Sequence, residues 1–66
     1  MQIKVNGEAL EFDAPINVLA LAEHLHLNPR QVAVERNREI VPRSRYSEVG
    51  LNEGDEIEIV HFIGGG

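Results

Sequence analysis

The first twelve residues, MQIKVNGEALEF (1–12), alternate apolar and polar side chains on either side of Asn6-Gly7. A two-residue type I′ hairpin turn needs positive φ at both central positions, and Asn-Gly meets that need with little strain. The stretch therefore reads as two antiparallel strands. Met1, Ile3 and Val5 share one face and Gln2 and Lys4 the other, while Leu10 and Phe12 lie opposite Glu11 on the second strand. A ribbon with one apolar face needs a cover to be stable in water.

The cover is NVLALAEHLHL (17–27). Asn17 can cap a helix start, and Val18, Leu21, Ala22 and Leu25 recur at helical spacing with Glu23 on the polar side. That spacing is what a sheet-covering helix requires, so these four are core and need no cofactor. The helix is expected to end at Asn28-Pro29. QVAVERN (31–37) follows as a strand with Val32 and Val34 inward; Asn37-Arg38 then turns the chain into the short strand EIV (39–41), which Pro42 terminates. RSRYSEVGLNEGD (43–55) reads as a loop anchored by Tyr46, Val49 and Leu51, with Glu53-Gly54-Asp55 as a tight turn into the final strand EIEIVHFI (56–63).

The order strand, strand, helix, strand, short strand, loop, strand is an α+β pattern, and the β-grasp topology fits it: a mixed sheet of four to five strands with one helix packed across one face. The helix supplies the crossover that lets the first and last strands lie parallel at the sheet centre. Residues 1–66 are expected to form a single domain, closing in a flexible glycine tail, residues 64–66.

Composition narrows the function classes. A chain of 66 residues buries only about 60% of its unfolded surface, so every apolar residue is needed for the core. Hydrophobic residues at 42% and charged residues at 26% indicate a folded domain. With no cysteine, disulfides, thiolate-ligated clusters and a cysteine nucleophile are all excluded. Any sulfur chemistry must use sulfur brought from elsewhere. Six basic against eleven acidic residues give a net charge of −5, which disfavours nucleic acid and anionic membranes as partners. Apolar runs such as Val18 to Ala22 are far shorter than a membrane span, and MQIKVNGEAL lacks a signal peptide's apolar region; the expected location is the cytoplasm.

The chain stops on HFIGGG (61–66). Glycine at a turn needs residues after it, and none follow Gly66. Three terminal glycines can be a frayed end or a cloning scar. Here, however, they abut a central strand with no polar spacer, so they place a carboxylate at the end of a wire roughly 10 Å long. Gly64 and Gly65, lacking Cβ atoms, can thread a narrow channel in another protein. The group delivered is the Gly66 carboxylate, an anion at neutral pH and a poor electrophile until a leaving group is attached.

Four stretches, in order, carry a likeness: MQIKVNGE (1–8), VAVERNREIVPR (32–43), LNEGDEIEIV (51–60) and HFIGGG (61–66). Together they make the whole chain resemble the small sulfur carriers of thiamine biosynthesis, the ThiS family of ubiquitin-like β-grasp proteins. Arg38 departs from the glycine often found after the turn asparagine; the turn then asks Asn37 to adopt the left-handed conformation. The resemblance implies a cycle in which an E1-like, ATP-consuming partner adenylates Gly66. A sulfur-donating enzyme converts the adenylate to a thiocarboxylate, and thiazole synthase accepts the sulfur. It implies a substrate with no bound cofactor rather than a catalyst, and no glycine-rich loop followed by lysine is present to hold ATP. The small subunit of molybdopterin synthase and a ubiquitin-like modifier or interaction module are the rival readings. A ferredoxin on this fold is excluded by the missing cysteines.

Other candidates rank lower. On the last strand Ile57, Ile59, His61 and Ile63 share one face and Glu56, Glu58, Val60 and Phe62 the other. If the isoleucines meet the helix, Val60 and Phe62 form an apolar docking patch beside the glycines, unless Phe62 folds over the sheet edge. His24 and His26 point apart on the helix and His61 lies on a strand, so no metal site is expected. Glu53, Asp55, Glu56 and Glu58 read as a solvated acidic run in preference to a contact for a basic partner surface, whereas Arg43 and Arg45 can pair with acids across the loop or with a partner, and the sequence does not discriminate the two.

Overall fold

The computed structural model describes residues 1–62. Five strands, β1 (Gln2–Val5), β2 (Glu8–Glu11), β3 (Val32–Arg36), β4 (Glu39–Val41) and β5 (Glu56–His61), form one sheet in the order β2-β1-β5-β3-β4. The helix α1 (Val18–His24) packs on one face, and two short 3₁₀ turns, Pro29–Gln31 and Arg43–Arg45, complete the elements. β1 and β5 are parallel and every other pairing is antiparallel. The last strand is therefore the middle strand of a ubiquitin-like β-grasp.

Local chemistry explains the elements. Asn6 (φ 50°) and Gly7 (φ 85°) are both left-handed, as a type I′ turn requires, and the register runs from Val5↔Glu8 to Gln2↔Glu11. At the start of α1 the N–H groups of its first three residues all find partners outside the helical ladder. Val18 N–H donates to Val49 O (3.0 Å), Leu19 N–H to Tyr46 O (3.0 Å), and Ala20 N–H to the Asn17 side chain (2.7 Å). The loop before β5 thus caps the helix as well as bridging strands, and Asn17↔Gly50 forms an isolated bridge beside it. That loop is not wholly irregular, because it holds the 3₁₀ turn at Arg43–Arg45.

The helix ends at His24, four residues short of the expected Asn28-Pro29. Leu27 N–H reaches Ala22 O (2.9 Å) and His26 N–H reaches Glu23 O (3.0 Å), with His26 left-handed at φ 59°. This pair of bonds is a Schellman cap, with histidine in the place usually taken by glycine. Leu25 becomes the cap residue, half-buried against the core. Asn28-Pro29 instead opens the first 3₁₀ turn, the Asn28 side chain accepting from Arg30 N–H at 2.9 Å.

The core is the inner face of the sheet against α1: Ile3, Val5, Val32, Val34, Val41, Ile57 and Ile59 from the strands, Val18, Leu21 and Ala22 from the helix, and Tyr46 and Leu51 from the loop. Tyr46 is buried with its hydroxyl donating to Val32 O at 3.1 Å, and burial pushes its phenol upward in pKa. The β3–β4 turn needs more than Asn37: both Asn37 (φ 51°) and Arg38 (φ 72°) are left-handed.

Candidate functional site

β5 is held on both edges. Toward β1, Lys4 N–H donates to Asp55 O (3.0 Å) and Asn6 N–H to Ile57 O (2.9 Å). Beyond them the Asn6 side chain accepts from Ile59 N–H (2.9 Å) and donates to Ile59 O (3.1 Å). Toward β3 the antiparallel register runs from Arg36↔Ile57 to Val32↔His61, and Phe62 N–H closes it on Gln31 O at 2.9 Å. The final strand is thus anchored through its last described residue. Ile63, Gly64, Gly65 and Gly66, and with them the expected tail, lie outside the described residues.

Alternation assigns the face of the sheet away from α1. Ile57 and Ile59 point to the core, so Glu56, Glu58 and Val60 point outward, and Phe62 follows their parity. Val60 is 62% exposed and Phe62 39%, so both expected docking residues are accessible at the end of the strand. Ile40, 76% exposed on the same outer face, was not part of the expected patch. The signal was present: in Glu39–Val41 inward Val41 forces its neighbour outward. Glu35 stands directly opposite both Glu58 and Ile40. An open depression of about 460 Å³ lies nearby, lined by Lys4, Asn6, Gly7, Glu56, Ile57 and Glu58.

The acidic run is not uniformly solvated. Glu56 and Glu58 are exposed, but Asp55 is buried. Its carboxylate accepts from Arg36 Nε (2.8 Å), Asn37 Nδ2 (3.0 Å) and Asn52 N–H (2.8 Å). Burial alone would raise its pKa; these hydrogen bonds outweigh burial and hold the carboxyl below its ordinary value. Asn37 also accepts from Glu56 N–H at 2.9 Å, so this knot fixes where β5 begins.

The remaining candidates are structural or solvent-facing. His24 packs edge-on against Phe12, ring centroids 5.0 Å apart, and His26 caps the helix. Among the described residues no three His, Asp or Glu side chains gather as a metal site. Arg43 donates to Arg30 O at 3.1 Å, and Arg45 lies 3.9 Å from Glu48 with both side chains well exposed, a pair worth little to stability. No helix of the described residues is long and apolar enough to cross a membrane.

A mixed five-stranded sheet clasping one helix, with the last strand at its middle, defines a ubiquitin-like β-grasp protein. Residues 3–66 match the family model described as the ThiS family. The chain belongs to that family. It is 40% identical over 65 residues to the sulfur carrier protein ThiS of Bacillus subtilis, covering 97% of this chain and 98% of that protein. The crystal structure of the thiamine biosynthesis protein ThiS from Geobacter metallireducens superposes over the full length of both chains with a TM-score of 0.84 at 32% identity. The chain is also 53% identical over 66 residues to a thiazole synthase of Paramagnetospirillum magneticum, spanning all of this chain but only 20% of that protein.

Proposed function

We propose that this chain carries sulfur for thiazole formation in thiamine biosynthesis, as a substrate of partner enzymes. An adenylating, E1-like enzyme consumes ATP: a Gly66 carboxylate oxygen attacks the α-phosphorus, pyrophosphate leaves, and an acyl-adenylate forms. A sulfur-donating enzyme supplies sulfide-level sulfur, HS⁻, which attacks the acyl carbon; AMP departs with the bonding pair, and loss of the thioacid proton to solvent leaves Gly66 as a thiocarboxylate. Thiazole synthase accepts that sulfur. Adenylation is needed because a carboxylate anion resists nucleophiles until its oxygen becomes part of a good leaving group.

Residues 1–66 serve as one carrier domain in the cytoplasm. Gly64 and Gly65 thread the partner's channel, and Val60 and Phe62 dock on the partner near the channel mouth. The observation that carries the reading is the full-length likeness to a sulfur carrier protein. The likeness of the same residues to a fifth of a thiazole synthase supports that enzyme as the acceptor.

Removing Gly66 alone tests the reading in a reconstituted thiazole-forming system. The truncated chain is expected to keep its circular dichroism spectrum and melting temperature while losing sulfur transfer. Transfer that persists without Gly66 overturns the proposal.

A further inference from the structure

We propose that Asn6 is a positioning residue for this chemistry, its carboxamide standing in for a missing stretch of strand and setting the line along which the chain leaves the sheet. The inference deepens the carrier reading and rests on it. β1 pairs with β5 only at Lys4↔Glu56 and Val5↔Ile57, because the chain reverses at Asn6-Gly7. β5 continues to His61. On the edge β1 has left, the Asn6 side chain supplies the acceptor and donor that a strand peptide would have offered, at 2.9 Å to Ile59 N–H and 3.1 Å to Ile59 O.

The carboxamide is aimed by the left-handed turn itself (φ 50°), and Asn6 N–H is tied to Ile57 O at 2.9 Å. Side chain and backbone of one residue therefore grip three successive peptides on one edge of β5, through Ile57 O, Ile59 N–H and Ile59 O, while β3 holds the other edge as far as Phe62. Both bonds are part-buried, so water makes good their loss only in part. If Asn6 were only a turn former, any residue tolerant of positive φ would serve, glycine above all. Asn6→Gly keeps the turn and deletes the grip. Asn6→Asp keeps the acceptor for Ile59 N–H and loses the donor to Ile59 O.

The test uses the full chain and an adenylating enzyme of a thiamine system, following ATP–pyrophosphate exchange across carrier concentrations, with amide exchange at Ile59 and Val60 alongside. Since a misplacement of about 1 Å can cost about a hundredfold in rate, Asn6→Gly is expected to lower kcat about tenfold or more while KM stays within about twofold. Asn6→Asp falls between the two in kcat; exchange at Ile59 quickens in Asn6→Gly and stays closer to wild type in Asn6→Asp, which keeps the acceptor for that N–H. An unchanged kcat, or a loss confined to KM, overturns the inference; should Asn6→Gly melt below the assay temperature, the same criteria apply to Asn6→Asp. A wild-type chain that supports no exchange beside an active control carrier overturns the carrier reading, and this inference with it.

Discussion

Asp55 shows how one side chain can join parts of a small sheet that are distant in sequence. Its carboxylate meets Arg36 and Asn37 at the β3–β4 turn and the Asn52 N–H in the loop. Asp55→Ala leaves those donors without their acceptor and is expected to cost about 2–4 kcal/mol, read by chemical denaturation. The pH dependence has a definite sign. The folded carboxyl titrates below its ordinary value, so the unfolded chain binds more protons in the acid range. Stability is fully present above the ordinary aspartate range near about pH 4 and is lost as pH falls through it toward the depressed folded pKa. Asp55→Asn is expected to flatten that part of the profile; an unchanged acid limb would show that other carboxylates set it. The sequence displays Asp55 only as one acid among several, because burial depends on Arg36, 19 residues away.

Among elements, the hairpin at β1–β2 and the start of α1 were legible because their signals are local: Asn-Gly for the turn and Asn17 for the cap. The end of α1 was not, since histidine at a left-handed cap carries no such signature and Asn28-Pro29 offers a more obvious stop. The β3–β4 turn was half legible, with Asn37 left-handed as expected and Arg38 left-handed as well. A non-glycine residue there carries about 1–2 kcal/mol of strain, against about 0.5–1 kcal/mol of extra unfolded-state entropy for glycine. Arg38→Gly is therefore expected to stabilise the fold by up to about 1 kcal/mol, raising the melting temperature by a few degrees. A lower melting temperature would show that the Arg38 side chain contributes more than its backbone costs.

For the molecule as a whole, the division of labour is between a tightly held sheet and the chemistry proposed at its far end. Periodicity was enough to order the elements and to predict β1 and β5 as parallel neighbours, because the chain had few other ways to bury Ile3, Val5, Ile57 and Ile59 together. The Asn6 grip was harder to read, because it depends on which strands become neighbours. Choosing between thiamine and molybdopterin carriers lay beyond periodicity altogether and rests on the family match. If the exposed apolar end of the outer face docks the partner, Phe62→Ala and Val60→Ala should each weaken affinity for the adenylating enzyme by about tenfold, since a buried interfacial side chain contributes on the order of 1–2 kcal/mol. Titration calorimetry with unchanged affinity for both would remove that face from the interface.

Intact mass spectrometry reads the proposed chemistry most directly. The full chain is incubated with ATP, sulfide and a thiamine-type adenylating enzyme, and fragmentation locates any change. Replacement of one oxygen by sulfur at Gly66, dependent on ATP, is the expected result. An unaltered terminus beside a carrier that is converted under the same conditions would contradict it.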